Sequence, residues 1–488
     1  MIRLHADHVL AWAGTDHALL RDGEVEVDGG RIVRVGPRTT AQPAPGTRTV
    51  ELGSALLMPG LIDLDALADI DHALLDSFGG PQHARDLTWS LRYLEQGPRD
   101  VFTREEKAFV RRYAFVQLLL HGVTTAMPIA AETHSRWAET YDEAVDMARE
   151  ARALGLRCYL GPSYRSGVGA VRADGSATVW WDEEAGRTGL ADAVRFARWL
   201  REEHDALLRP VLLPCRVETM SDDLLAATAE AARSLDVKVR LHCLQGVAER
   251  HRLAEQGRGD PLSVLERAGL LGDRLLVPHG IHLDAHSSVG AGTDRDLARL
   301  VENRVSVVHC PLTSARYGSA METFARYRAA GLNIALGTDS FPPDLVRGMD
   351  FGVNLAKVQS GRTDTVTPAD YVRAATVAGA AALGREDLGR IAPGAQADLV
   401  AFALDDVRDG VLDDPVRTLL SNGTGRAVRM SMIAGRVVVR DGRVPGVRTG
   451  PLRARAQELF DRMRSAYAGR DRLGRPPDRL FPPSFPLA

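Results

Sequence analysis

The chain has 488 residues, 45% of them hydrophobic, and its 61 Lys and Arg residues nearly balance 64 Asp and Glu residues, which leaves a net charge of −3. Such a balance argues against charge-driven binding of nucleic acid or of an anionic membrane surface, and no apolar run is long enough to span a bilayer. The four cysteines lack metal-ligand or redox spacing, and the N-terminus lacks the apolar stretch of a signal peptide, so the sequence predicts a cytoplasmic protein with reduced thiols.

Both ends of the chain carry short alternating strands around Gly turns. Residues 24–36 give a strand, a Gly-Gly turn and a second strand, and the same pattern returns at 398–404 and 432–443. Edge strands left unpaired at both termini would favour aggregation. We therefore predict one composite β-sandwich domain built from residues 1–53 and 390–448.

Residues 54–389 repeat a strand-then-helix pattern eight times. The eight apolar strand segments are 56–65, 122–129, 156–162, 210–217, 237–244, 275–281, 305–312 and 333–337. This repetition predicts a (β/α)8 TIM barrel, an α/β fold whose active site lies at the C-terminal ends of the strands. A doubly wound sheet is the alternative, although the Gly-rich nucleotide-binding turn typical of that fold is missing.

After the barrel, Thr367-Pro-Ala-Asp370 predicts a helix start with a cap, a first-turn Pro and an acid at N3. Residues 449–488 predict an Arg-rich helix and a Pro-rich tail. Because such a tail cannot form its own core, we expect it to lie over a surface or a neighbouring subunit. We expect a homodimer or a higher homo-oligomer.

Two carboxylates stand where the first barrel strand should carry aliphatic residues. Asp63 and Asp65 are two positions apart and therefore point to the same side of a strand. Buried carboxylates are costly unless they are paired, hydrogen-bonded or bound to a metal. The alternative is that the strand ends here and emerges into a solvated loop.

Polar residues also follow the other strands. A single His in an apolar strand is usually a core residue, but a barrel brings the C-terminal strand ends together, and this convergence favours a functional site. The candidates on strands five to eight are His242, Gln245, His279, His309, Ser314 and Asp339. Strands three and four add Tyr164, Arg165 and Glu218.

Several motifs carry a resemblance to a known family. They are Met58-Pro-Gly-Leu-Ile-Asp63, Leu276-Val-Pro-His-Gly-Ile-His-Leu-Asp284, Val308-His-Cys-Pro311 and Ala335-Leu-Gly-Thr-Asp-Ser340. Over nearly its whole length except the tail, the chain resembles the amidohydrolase superfamily, in the branch of cytosine and guanine deaminases and triazine chlorohydrolases.

The resemblance implies a metal site with specific ligands. In the family, a His-x-His pair, a strand-five His and a strand-eight Asp hold one zinc or iron. A strand-six His orients the metal-bound water, and a Glu three residues after the strand-five His shuttles protons. The chain keeps the strand-five ligand as His242, the strand-eight ligand as Asp339 and the water-orienting His as His279.

The remaining family positions are changed. Asp65 and Leu67 stand at the His-x-His pair, Gln245 at the shuttle Glu and Ser314 at an expected Asn. Leu67 cannot bind a metal, so Asp65, His242 and Asp339 are the predicted ligands of a weaker, oxygen-rich site. We therefore expect zinc or iron at less than one equivalent, or no metal. An amide such as that of Gln245 cannot act as an acid or base, which forfeits about 10²–10⁴-fold in rate.

Arg240 lies two residues before His242, so strand parity aims it inward, towards Asp63 and Asp65. A fixed guanidinium there would balance carboxylates that a metal otherwise neutralises. The alternative is that a strand bulge turns Arg240 outward.

Three functions remain open from the sequence. The first is a hydrolase with a rebuilt metal site that cleaves a C–N or similar bond of a small polar molecule. The second is a metal-independent lyase, cyclase, isomerase or decarboxylase, and the third is a non-catalytic binding or assembly protein. The predicted catalytic residues are His242, Gln245, His279 and Asp339. The predicted substrate-binding residues are Tyr164, Arg165, Glu218, Arg240, His309 and Ser314, with Arg165 as a clamp for a carboxylate or phosphate.

Overall fold

Strands from both ends of the chain form one hydrogen-bonded sheet. The computed structural model describes residues 1–71, 88–129, 135–422 and 424–485. The strands of this sheet are Ile2–Trp12, His17–Asp28, Arg31–Pro37, Arg48–Glu51, Ala55–Pro59, Leu399–Ala403, Val428–Ile433 and Arg436–Arg440. The strand Ala55–Pro59 joins the two ends, because it pairs in parallel with the first strand and antiparallel with Leu399–Ala403.

The predicted first barrel strand is two strands in the structure. Ala55–Pro59 belongs to the terminal sheet, and the barrel strand Leu61–Leu67 begins after Gly60. A Cβ on Gly60 would lie 2.1 Å from Oγ1 of Thr124, so only glycine fits where the chain passes between the domains. The chain therefore passes from the terminal sheet to the barrel at Gly60.

Eight parallel strands form the barrel in chain order, as predicted. They are Leu61–Leu67, Val123–Ile129, Arg157–Leu160, Leu208–Pro210, Val239–Arg240, Leu275–Pro278, Ser306–His309 and Asn333–Leu336. A parallel bridge between Leu212 and Val239 joins the two four-stranded halves. The ring closes where the backbone N–H of Asp339 donates to the carbonyl of Asp65, at 2.8 Å. The barrel closure thus places strands one and eight side by side at the predicted site.

Helices surround this barrel. The α-helices of the described residues are Leu91–Glu95, Arg104–Leu120, Tyr141–Leu154, Glu183–Glu202, Asp222–Leu235, Val247–Glu255, Pro261–Arg267, Arg295–Glu302, Pro311–Arg316, Phe324–Ala329, Leu345–Ser360, Pro368–Arg373, Gly379–Ala382, Pro415–Asn422, Thr449–Arg470 and Pro477–Leu480. The predicted start at Thr367 is present, with Pro368 in the first turn and a reciprocal cap between Thr367 and Asp370. None of these helices is both long and apolar enough to cross a membrane.

A buried ion pair fixes the terminal sheet to the barrel. Arg157 on the third barrel strand donates to both carboxylate oxygens of Asp398, at 2.6 and 3.0 Å. Both residues are buried, and the bidentate geometry restricts how the two domains are oriented.

The C-terminal helix Thr449–Arg470 packs on the helix Arg104–Leu120, where Arg455 pairs with Glu106 at 2.9 Å. The described part of the predicted tail, to residue 485, includes the short helix Pro477–Leu480. Residues 486–488 of the predicted tail lie outside the described residues.

Candidate active site

Asp63 is held by the backbone next to it and by the eighth strand. It accepts bonds from the backbone N–H and the hydroxyl of Thr338, at 3.0 and 2.6 Å, and from the N–H of Asp65 at 3.2 Å. Burial raises its pKa to about 6, against the opposing effect of these bonds. Asp63 therefore connects strand one to strand eight, and Asp65 is the residue left facing the barrel mouth.

Arg240 points into the barrel, as strand parity predicts. Its Nη1 lies 3.4 Å from Oδ1 of Asp65 and donates to the carbonyl of Met127 at 2.7 Å. Both Arg240 and Asp65 are buried. Burial raises the pKa of Asp65 to about 6, and the Arg240 guanidinium opposes this rise. The positive charge partly compensates a carboxyl group that is completely removed from water.

Asp65 lies at the centre of a cluster of imidazoles and carboxyl groups. Its Oδ2 is 3.8 Å from Nε2 of His242 and 3.9 Å from Nε2 of His279. The same His279 nitrogen lies 3.7 Å from Oδ2 of Asp339. The three predicted ligands and the predicted catalytic residue His279 thus lie close together, and Asp65, His242 and His279 each offer a ligand atom within 4.8 Å of the others.

Backbone pairing continues past the assigned strands and aligns these side chains. Arg216 pairs with His242 in one parallel bridge, and Cys243 pairs with His279 in another. Three residues at the strand ends adopt left-handed backbone: Leu244 at φ 61°, His279 at 67° and Asp339 at 38°. Such conformations are strained for residues other than glycine and concentrate at functional sites.

The donor set fits a single divalent metal ion. His242 is a neutral imidazole because burial holds its pKa well below the usual range, and its Nδ1 donates to the carbonyl of Cys215 at 3.0 Å. The lone pair of its Nε2 is therefore directed at the cluster. Among the described residues, neither ring nitrogen of His279 has a hydrogen-bond partner. Oδ1 of Asp65 likewise accepts no hydrogen bond from them. Buried polar atoms without partners call for an explanation such as an ion.

Spacing and chemistry agree with this interpretation. Zinc ligands at about 2.0–2.2 Å in a tetrahedral arrangement lie about 3.3–3.6 Å apart. The distances of 3.8 and 3.9 Å from Oδ2 of Asp65 to the Nε2 atoms of His242 and His279 are only a few tenths of an ångström wider. Burial lowers the pKa of His279 to about 3, so this imidazole is neutral too. Asp65 and two neutral imidazoles thus form a set of three donors, and Oδ2 of Asp339 lies beside it, 3.7 Å from Nε2 of His279.

Gln245 occupies the pocket wall but provides no acid or base. Its Oε1 accepts from Nη1 of Arg216. One helical turn later, Glu249 is a buried carboxyl group in the same wall. Burial, followed by the charge of Glu218, raises the pKa of Glu249 to about 8. Its Oε1 accepts from the N–H of Leu244 at 2.7 Å, so Glu249 also holds the strained turn after His242.

The cluster opens into a pocket of about 540 Å³, a size typical of small-molecule sites. The residues that line it are Leu67, Asp69, Asp71, Ile129, Arg165, Cys215, Arg216, Glu218, His242, Gln245, Gly246, Ala248, Glu249, Arg252, Tyr317, Asp339 and Phe341. Of the predicted substrate-binding residues, Arg165 and Glu218 belong to this wall. Arg165 lies 5.8 Å from the ring centres of both Trp89 and Trp137, and Glu218 lies 3.7 Å from Arg252.

Four predicted substrate-binding residues do not line the pocket. Tyr164 is fully buried, and its hydroxyl bonds to Thr228 at 2.9 Å inside the core. His309 is buried beside Tyr371, 3.3 Å from its hydroxyl. Ser314 is buried in the helix Pro311–Arg316. Arg240 is buried beside Asp65. Packing between distant elements, which sequence parity does not describe, buries these four side chains outside the pocket lining.

Sequence reasoning missed Arg216, Glu249 and Arg252 in the pocket wall. Arg216 lies near the C-terminal end of the predicted fourth strand segment, residues 210–217, so its position at a strand end was a usable signal. Glu249 and Arg252 lie on the helix Val247–Glu255, whose approach to the pocket is a tertiary feature without a local sequence signal.

The comparisons with known proteins agree with this architecture. The profile of the Amidohydrolase family matches residues 56–438. The chain is 30% identical over 359 residues to 8-oxoguanine deaminase of Pseudomonas aeruginosa, and the alignment covers 72% of this chain and 76% of that protein. It is 28% identical over 427 residues to 5-methylthioadenosine/S-adenosylhomocysteine deaminase of Halobacterium salinarum, covering 86% of this chain and 89% of that protein.

Solved structures show the same fold. An adenosine deaminase from Xanthomonas campestris with bound zinc superposes with a TM-score of 0.76 at 24% identity, over 95% of this chain and 98% of that one. Zinc-complexed atrazine chlorohydrolase TrzN from Arthrobacter aurescens gives 0.74 at 20% identity, over 94% and 100% of the two chains. The family match, the barrel with its terminal sheet and the site at the barrel mouth together establish that this chain belongs to the amidohydrolase family and is a hydrolase.

Proposed function

We propose that the chain is a zinc-dependent hydrolase that releases an exocyclic amino group, as ammonia, from a small nitrogen-containing ring. The observation that carries this proposal is the convergence of Asp65, His242, His279 and Asp339 at the barrel mouth, where neither ring nitrogen of His279 has a hydrogen-bond partner among the described residues. The deaminase names of the sequence relatives support the choice of bond.

Asp65, His242 and His279 would hold the metal. Sequence reasoning named Asp65, His242 and Asp339 as ligands of a weak or empty site; the position of Nε2 of His279, 3.9 Å from Oδ2 of Asp65, supports His279 as a ligand. A bound zinc lowers the pKa of water and thereby supplies a nucleophile near neutral pH. The Arg240 guanidinium lies beside Asp65 and limits the negative charge at the site.

Asp339 takes the proton-transfer role that Gln245 cannot fill. Asp339 lines the pocket, and burial followed by the charge of Asp65 holds its pKa well above the usual range. A carboxyl group beside the proposed metal can accept a proton from water and return it to a leaving amine. Oδ2 of Asp339 lies 3.7 Å from His279, which keeps the proton carrier within the cluster.

Ammonia release from a compound panel tests the proposal. The panel contains 8-oxoguanine, guanine, adenosine, 5-methylthioadenosine and S-adenosylhomocysteine, each supplied to zinc-loaded protein. We expect one of these amines, or a close analogue, to be deaminated, and Asp339→Asn to lower kcat by at least about 100-fold. The control Asp413→Asn removes a carboxylate that is 85% exposed and should leave kcat unchanged. No ammonia from any compound, or a fully active Asp339→Asn variant, would overturn the proposal.

A further inference from the structure

A C-terminal segment, residues 449–485, lies beyond the part of the chain that matches the family, which ends at residue 438. Its helix Thr449–Arg470 does more than cover the outside of the barrel. Together with the chain after strand one, it forms a separate apolar cluster of Ile70, Phe102, Val110, Leu459, Met463, Tyr467, Leu480 and Phe481. Ile70 is the residue between Asp69 and Asp71, both of which line the pocket. The segment is therefore packed directly behind one pocket wall.

Tyr467 makes a polar contact with that wall. Its hydroxyl donates to Oδ2 of Asp71, and the two side chains are almost completely removed from solvent, with 2% and 4% exposure. A hydrogen bond to a buried carboxyl group fixes the direction of both of its oxygens, because the group is planar. Asp71 is thus oriented by a residue that lies almost 400 positions away in the sequence.

Arg470, one turn further along the helix, contacts a second part of the wall. Its guanidinium carbon lies 4.0 Å from the ring centre of Tyr467 and 5.4 Å from that of Trp89. A second guanidinium contacts the same ring, because Arg165 lies 5.8 Å from the centre of Trp89. Trp89 therefore transmits the position of the C-terminal helix to Arg165, which lines the pocket.

We infer that the C-terminal segment is a working part of the active site, in which Tyr467 and Arg470 are positioning residues that determine substrate affinity. Tyr467 sets the orientation of Asp71, whose carboxyl group can accept bonds from the N–H donors of a nitrogen-containing ring. Arg470 sets the position of Trp89 and, through it, of Arg165. The effect on affinity rests on the proposed function, whereas the orientation of Asp71 does not.

Carboxyl footprinting tests the orientation without a substrate. Carbodiimide and glycine ethyl ester label accessible carboxyl groups, and mass spectrometry then compares Asp71 with the partly exposed Asp69 as an internal reference. Tyr467→Phe keeps the aromatic packing and removes the hydroxyl, so we expect label on Asp71 to rise several-fold relative to Asp69. Arg455 is on the same helix as Tyr467 but pairs with Glu106 on another helix. Arg455→Gln removes that ion pair and should leave the labelling ratio unchanged.

Kinetics test the consequence once the ammonia panel has identified a substrate. Tyr467→Phe and Arg470→Lys should each raise KM at least about fivefold and change kcat less than about twofold, as expected for lost binding rather than lost chemistry. Arg455→Gln should change neither. An unchanged label on Asp71 in Tyr467→Phe overturns the inference, whether or not a substrate is known. An unchanged KM in Tyr467→Phe and Arg470→Lys overturns it as well. Failure of the whole panel with a changed label instead overturns the proposed function and upholds the orientation of Asp71.

Discussion

Nε2 of His242 lies 3.8 Å from Oδ2 of Asp65, across the mouth of the barrel. The imidazole is held in the tautomer that turns a lone pair towards the carboxylate, because its other nitrogen donates to Cys215. A neutral imidazole and a carboxylate at this spacing attract each other only weakly. The pair becomes strong when a cation lies between them, and this relationship is the basis of the predictions on the site.

Arg240 compensates the carboxyl groups of the cluster, so its removal should destabilise the fold. Arg240→Met leaves Asp65 buried without a charged partner and should lower the free energy of unfolding by about 3–5 kcal/mol. Urea denaturation measures this loss. The control Arg112→Met breaks a pair with Glu150 at 2.9 Å that is partly open to solvent and should cost less than about 1 kcal/mol. Equal, small losses in both variants would show that Arg240 does not compensate the cluster.

Glu249 should make stability depend on pH. Burial, then the charge of Glu218, raises its pKa from 4.5 to about 8. Because the folded state binds this proton more tightly than the unfolded chain does, the stabilisation is fully present below the unfolded pKa of 4.5 and is lost as the pH rises through about 8. Glu249→Gln mimics the protonated group and should abolish this loss.

The measurement is the melting temperature of both proteins at pH values from about 5 to 9, where Glu249→Gln should gain on the wild type as the pH rises. Glu230→Gln, on an exposed part of another helix, should differ from the wild type in melting temperature by the same amount at every pH. If the melting temperatures of the wild type and Glu249→Gln differed by the same amount at every pH, the prediction would be contradicted.

Adjacent residues at the end of strand three should respond differently to substitution. Tyr164→Phe removes a buried bond to Thr228 and should cost about 1 kcal/mol of stability while KM stays unchanged. Arg165→Lys changes a pocket residue and should raise KM at least about fivefold, because a lysine cannot reproduce the planar contacts of the guanidinium. Melting curves and steady-state kinetics separate the two effects. A raised KM in Tyr164→Phe would return Tyr164 to the binding site.

Much of this arrangement could be predicted from the sequence. The apolar segments fixed the order of the barrel strands, and parity along strand five placed Arg240 beside Asp65, because both depend only on local period. The polar strand ends brought His242, His279 and Asp339 to one place, since a parallel barrel leaves few other arrangements.

What the sequence could not provide depends on packing between distant elements. Tyr164 follows a strand end, as Arg165 does, yet it packs against the helix Glu183–Glu202. A Cβ added to Gly189 on that helix would lie 2.6 Å from the Cβ of Tyr164. The break at Gly60 depends on the approach of Thr124, and the contact of Tyr467 with Asp71 joins two ends of the chain. No local pattern encodes these contacts.

Zinc stoichiometry tests the central claim most directly. Wild-type protein is dialysed against buffer with excess zinc, then against buffer without it, and bound metal is measured by inductively coupled plasma mass spectrometry beside Asp65→Asn and the exposed control Asp413→Asn. We expect one tightly held zinc per chain in the wild type and in Asp413→Asn, and a loss of affinity of at least about tenfold in Asp65→Asn, since Asp65 is one of the three proposed ligands. Wild-type protein that retains no zinc, or an Asp65→Asn variant that retains a full equivalent, would contradict the account.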